Sequence, residues 1–279
     1  MKIKLLCLVA LSRICLPLGA APLTESTFTE IVKDVKVIAD ASKTATPAQT
    51  QELLKAPDRV RTGPESRAEL IAPDHTITRI GANTVFSFSD SGRTLNLEKG
   101  SLLFHTPKGM GGGTIKSGGA AAAVLGTTLI VSATTDGGFK VILLEGSGTV
   151  TLPNGKSVKL KAGQLVFVAP DDTVLSSVLD INLERLVAGS LLVNGFGHPL
   201  PSTPLIQDAM RKQHSLIARG KAVDTGKPAE SGLGSVDHGA YQTAAHPTLS
   251  IAQYGTIANS GTGGFGAGGR NLATIGFKP

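Results

Sequence analysis

The feature that most constrains this chain is a train of short segments, from about 59 to 179, in which apolar and polar residues alternate. The segments are RAELI (67–71), TITRI (76–80), TVFSF (84–88), RTLNL (93–97), SLLFH (101–105), TTLIVSA (127–133), FKVILLE (139–145), GTVTL (148–152), SVKLK (157–161) and QLVFVA (164–169). Alternation with period two is the mark of a strand with one face buried and one face wet. Turn signals separate the segments: Pro73-Asp74, Asp90-Ser91-Gly92, Lys99-Gly100, Asp136-Gly137-Gly138, Pro153-Asn154-Gly155 and Ala162-Gly163. A turn every 8–12 residues or so points to a sandwich, barrel or β-solenoid. There is no βαβ rhythm, which argues against a parallel α/β enzyme fold.

The flanks read differently. Residues 21–57 hold one apolar stretch, Phe28 to Ile38, whose β-branched content favours a strand. The spacing Phe28, Ile31, Val32, Val35 would also suit a helix. After 180, DINLERLVAGSLL places Leu183, Leu186, Val187 and Leu191 at helical spacing. A Gly/Pro-rich link, GFGHPLPS, follows, and a second helix is expected from Thr203 with Pro204 in its first turn. From 221 to 279 the chain is mostly Gly, Ala, Ser and Thr, and disorder is expected. The expected fold class is therefore mainly β, with a solenoid or sandwich-like domain at 58–180, two short helices at 181–220 and a Gly-rich tail.

The N-terminus has a basic start (Lys2, Lys4), an apolar run (Leu5 to Leu11) and small residues Gly19, Ala20 and Ala21. This pattern is that of a secretory leader, with cleavage expected after Ala20. The apolar run is too short for a membrane span, which needs about 20 residues, and no later segment reaches that length. Both cysteines, Cys7 and Cys15, fall inside the leader, so the mature chain is expected to have no disulfide, thiolate metal site or catalytic thiol. Arg13 just before Cys15 argues against lipid attachment there. The expected location is the periplasm or outside the cell. The net charge of +6 includes Lys2, Lys4 and Arg13; without them 24 basic residues face 21 acidic ones. A balance of +3 does not call for nucleic acid as a partner.

Chemistry-bearing residues do not converge in the sequence. His75, His105, His198, His214, His238 and His246 form no pair at metal spacing and read as surface or turn histidines. Gly261-Thr-Gly263-Gly-Phe-Gly266 matches G-x-G-x-x-G but has no helix after it to receive a pyrophosphate. Gly155-Lys156-Ser157 sits in a hairpin turn, and its would-be first phosphate-loop glycine is Val150. Ser235-Val-Asp237-His238 has triad residue types side by side, whereas triad members converge from separate elements. Asp171-Asp172 reads as a turn. The glycine cluster Lys108–Gly119 is either an anion-binding nest or, more plainly, a flexible hairpin arm or a bend where strands approach closely. No catalytic, cofactor-binding or metal residue is assigned, and no cofactor is expected.

An ordered set of motifs runs through the strand region. It comprises Val60-Arg-Thr-Gly63-x-x-Ser66-Arg-Ala-Glu-Leu70, Pro73-Asp74-x-Thr-x-x-Arg79-x-Gly-x-Asn83-Thr84 and Leu95-x-Leu97-x-x-Gly100-x-Leu-Leu-Phe104. Ala122-x-Val124-Leu-Gly126-Thr127, Leu144-Glu-Gly146-x-Gly-x-Val150 and Leu160-x-Ala-Gly163-Gln164 continue it. Over roughly 58–170 the chain resembles the FecR-like domain, the envelope β module of ferric-citrate-type regulator proteins. The resemblance implies a non-catalytic β domain outside the inner membrane. Signalling members of that family carry a sigma-factor-binding segment and a transmembrane helix before this domain. Here a leader stands in that place, so a secreted variant is expected, acting as a binding or scaffold module on another envelope protein. Contact by strand addition is expected, with the arm at 108–119 as a candidate contact element. The alternatives are a component of envelope signalling to a sigma-factor regulator system and an enzyme with an unrecognised site.

Overall fold

The computed structural model describes residues 20–219, apart from 136 and 169–173. The leader, the tail, Asp171-Asp172, His238, His246 and both cysteines lie outside the described residues. The strands are β1 (Glu25–Val32), β2 (Val35–Ile38), β3 (Ala45–Pro47), β4 (Leu53–Lys55), β5 (Arg59–Thr62), β6 (Arg67–Ile71), β7 (Ile77–Ile80), β8 (Val85–Phe88) and β9 (Thr94–His105). They continue with β10 (Gly113–Ser117), β11 (Ala120–Val124), β12 (Thr128–Ala133), β13 (Phe139–Glu145), β14 (Ser147–Thr151), β15 (Ser157–Lys161), β16 (Gln164–Val168) and β17 (Leu179–Asp180). Helices α1 (Leu183–Gly189), α2 (Leu191–Asn194) and α3 (Thr203–Ala218) follow.

The strands form two layers that share β9. Sheet A runs β4–β1–β6–β7–β9–β12–β13–β16–β17, with antiparallel pairings. Sheet B runs β3–β2–β5–β8–β9–β10–β11–β14–β15, antiparallel except where β9 meets β10. From β1 in sheet A and β2 in sheet B onward, strand numbers rise along both layers. The chain thus advances like a solenoid, in hairpins that alternate between the layers of a sandwich. The first half of β9 pairs in sheet B and the second half in sheet A.

Alternation decides what each face buries. Phe28, Leu70, Ile80, Phe104, Val131 and Phe139 of sheet A meet Val60, Phe86, Leu95, Ile115, Val150 and Leu160 of sheet B in one core. Each such side chain contributes about 1.5–3 kcal/mol on burial. The other face of sheet A is apolar as well. Ile77, Leu103, Ile130, Ile142 and Leu165 pack there under Leu183, Leu186, Leu192 and Ile206 of the helices. Sheet A is therefore covered on both faces and sheet B on one.

Three sequence readings of strands, turns and helices change on the structure. RTLNL and SLLFH, read as two strands about Lys99-Gly100, are one strand. Gly100 has φ +91 and bends β9 from one layer into the other. A Cβ there would lie 2.4 Å from the Cα of Thr84, so only glycine fits. The glycine cluster 108–119 is not one arm. Its middle forms β10, Gly118-Gly119 makes the hairpin to β11, and a Cβ on Gly112 would lie 2.0 Å from the carbonyl oxygen of Val124. Close approach explains these glycines. The helix expected over 180–192 breaks at Ser190, which caps the C-terminus of α1 and starts α2.

Candidate interaction surface

The register of sheet A sets its polar side chains in rows beneath the helices. Glu69 lies opposite Arg79 across β6 and β7. Arg79 is fully buried and donates from Nε to Glu69 Oε2 at 2.7 Å. Its remaining donors reach the carbonyls of Leu192, Val193 and His198, at the end of α2 and in the link beyond it. The ring of Phe196 stacks over the same guanidinium at 4.5 Å. Arg67 donates to the Gly195 carbonyl, and Glu30 accepts from the Gly197 N–H at 2.8 Å. The Gly/Pro-rich link of the sequence is thus pinned to sheet A by charged side chains.

A second row brings His105, Thr128 and Glu145 side by side, because β9, β12 and β13 pair at these positions. Thr128 Oγ1 lies 2.9 Å from His105 Nδ1, 2.7 Å from Glu145 Oε1 and 2.7 Å from Oγ of Ser202, the residue before α3. A hydroxyl has one proton and two lone pairs. If Thr128 donates to Glu145, its lone pairs are left for Ser202 and His105. Burial, and then the charge of Arg79, lower the His105 pKa below its ordinary value. Burial raises the Glu145 carboxyl above its ordinary value, against the hydrogen bond from Thr128. Ser, His and Glu meet here, but around a threonine that is 0% exposed and beside a serine that is 1% exposed. The cluster ties α3 to the sheet and presents no open nucleophile.

His105 is therefore a correction to the sequence reading: it is buried and networked, not a surface histidine. Its signal was its place at the end of an apolar strand, beside Thr106. His75, His198 and His214 are exposed, and His214 faces Glu184 at 2.9 Å. Among the described residues no cluster of three His, Cys, Asp or Glu side chains could hold a metal ion. No helix of the described residues is long and apolar enough to cross a membrane.

Among the described residues nothing covers the outer face of sheet B. Thr114, Lys116, Ala121, Ala123, Thr149 and Lys159 alternate with the core residues of their strands. Lys36, Arg59, Arg61 and Lys161 add to the basic character of this sheet, against one acidic strand residue, Glu98. Glu98 pairs with Arg59 at 3.3 Å, and Lys36 is 3.5 Å from Asp34. No acidic group among the described residues lies in ion-pair range of Arg61, Lys116, Lys159 or Lys161. The strands of sheet A are balanced instead, with Lys55, Arg67, Arg79 and Lys140 against Glu25, Glu30, Glu69, Glu145 and Asp180.

These features define a two-layer β module with one layer sealed by helices and the other open. Residues 58–147 match the family model described as FecR protein, so the chain carries a FecR domain over that stretch. No curated protein matches the chain. Two crystal structures described as a "putative anti-sigma factor" from Parabacteroides distasonis ATCC 8503 are similar in part. Each is 18% identical and aligns with 47% of this chain, with TM-scores of 0.42 and 0.41. The alignment covers 63% and 62% of those chains, less than two thirds of their length.

Proposed function

We propose that the protein is a non-catalytic recognition module of the bacterial envelope, periplasmic or secreted, that binds another envelope protein. The observation that carries this reading is the asymmetry of the sandwich. Sheet A spends both faces on cores, while sheet B keeps a wide polar face in water. The polar clusters of sheet A hold helices in place through side chains that are themselves buried. A sheet with a polar face and an unpaired edge is suited to recognition by surface and edge. Capture from the envelope fraction with the full chain tests the reading: one stoichiometric protein partner supports it. Turnover of a small molecule by the purified chain, abolished by one side-chain change, would overturn it. A second reading, a component of sigma-factor regulatory signalling, is favoured by the FecR match over 58–147. Under it, deleting the gene changes transcription from promoters of one alternative sigma factor, whereas a pure scaffold leaves them unchanged.

A further inference from the structure

Of the four outermost strands, three are poor templates. β3 has three residues and ends in Pro47, β4 has three residues and β17 has two. A proline cannot donate to a ladder, and very short edges offer few bonds. β15 is different: it has five residues, and among the described residues it pairs only with β14. Its hairpin closes with Leu152 N–H donating to the Lys156 carbonyl at 2.9 Å. Antiparallel bonding alternates, so Val158 and Leu160 bond inward to β14, while Ser157, Lys159 and Lys161 turn N–H and C=O groups to the free edge. The Lys161 N–H is taken by Gln164 Oε1 at 2.9 Å, so the open stretch centres on Ser157 and Lys159.

Charge selects what can dock there. Lys156, Lys159 and Lys161 are all exposed along the edge. Two copies of this chain meeting edge to edge would set these lysines against each other, which disfavours self-pairing. The long terminal segments of this chain beyond the described residues are poor candidates too. Residues 1–19 carry Lys2, Lys4 and Arg13 with no acid, and 220–279 carry four basic residues against three acidic ones. Resting on the recognition-module reading above, we propose that β15 is the docking edge for an acidic, extended segment of another polypeptide. That segment joins sheet B as an added strand, its backbone bonding to Ser157 and Lys159 and its carboxylates meeting the lysines.

The test uses the full chain and a synthetic probe, a capped eight-residue peptide of alternating Val and Glu, followed by fluorescence anisotropy. Binding is expected, weakened at least tenfold by Lys159→Glu with Lys161→Glu and weakened by salt. N-methylation of alternate peptide nitrogens, which blocks strand pairing but keeps the charge, is expected to abolish it. Hydrogen exchange at the Ser157 and Lys159 amides should slow in the complex. The two substitutions lie on exposed positions, and unchanged circular dichroism verifies the fold. No binding at millimolar peptide, equal binding by the N-methylated peptide, or preference for a Val/Lys peptide, an oligonucleotide or anionic vesicles would overturn the proposal. If wild type and the double variant capture the same envelope partner equally well, the edge fails and the module reading stands. If neither captures one, the module reading itself fails.

Discussion

At the scale of single residues, the corners between the layers are where the sequence has least freedom. Thr62, Thr84, Thr106 and Thr127 recur at intervals of 22, 22 and 21 residues, each where the chain passes between layers. The Thr84 N–H donates to Thr62 Oγ1, Thr84 Oγ1 to the Ser101 carbonyl, and Thr127 Oγ1 to the Ser147 carbonyl, at 2.9, 3.1 and 3.0 Å. Glycine completes the joint. Gly100→Ala forces a side chain into Thr84 at a φ of +91, and a loss on the order of 3 kcal/mol is expected in urea unfolding. Gly92→Ala, with φ +72 and nothing within 4 Å of its Cβ, loses about 1–2 kcal/mol for the backbone alone. Equal losses would refute the steric account. The buried pair His105 and Glu145 gives a pH signature of two signs. Below about pH 6.5 the unfolded chain protonates His105 and the folded one resists, so this residue's share of stability falls as pH drops through its lowered folded value. Glu145 works the other way: its raised folded pKa adds stability as pH falls, and that share is complete below its ordinary value. His105→Gln should flatten the fall in unfolding free energy just below pH 6.5, and Glu145→Gln should steepen it. A pH profile unmoved by both changes would show that the cluster does not titrate with folding.

At the scale of elements, Arg79 fastens the end of α2 and the link beyond it to sheet A. The last carbonyls of a helix have no partner inside it, and here the guanidinium supplies one for Leu192 and Val193. Arg79→Met leaves Glu69 buried without its cation, and a loss of about 3–5 kcal/mol is expected. Adding Glu69→Leu should recover much of it. Arg79→Lys should recover little, because an ammonium cannot match a planar fork that meets a carboxylate and three carbonyls. If all three variants unfold at the same urea concentration as wild type, the staple is ornamental. This element was half legible in the sequence. Arg79 stands in the motif that carries the FecR resemblance, between Asp74 and Thr84, yet its carbonyl partners lie more than a hundred residues on, in α2 and in a link that reads as a spacer. The strand train was legible because apolar runs between turn signals mark strands, but alternation reports burial only in sheet B: every residue of β12 and β13 is buried. β10 and β11 were not legible, since Gly113–Ser117 and Ala120–Val124 bury small residues and carry little hydrophobic contrast. The corner threonines carried a repeat of about 22 residues that alternation alone does not expose.

At the scale of the whole molecule, one strand belongs to both layers, and this sets how the module comes apart. β9 bonds to β7 and β12 in sheet A and to β8 and β10 in sheet B, so neither sheet can open at its centre without disrupting it. β12 and β13 lie beside it with buried residues on both faces. β15 sits at the far border of sheet B with three of its five side chains exposed. Opening free energies range from near zero at frayed edges to the global value in such central strands. Native-state hydrogen exchange should therefore show the amides of Leu102, Phe104, Val131 and Val141 exchanging only by global unfolding, with the slope against urea of the whole transition. The inward amides of Val158 and Leu160 should exchange by local opening, and the outward ones of Ser157 and Lys159 without any opening, both faster by several orders of magnitude. The same contrast links stability to the proposed role. An edge that frays against water at little cost can accept a partner strand without disturbing the core, whereas a protected β15 that opened only with β9 would mean that this edge is already covered in the free protein.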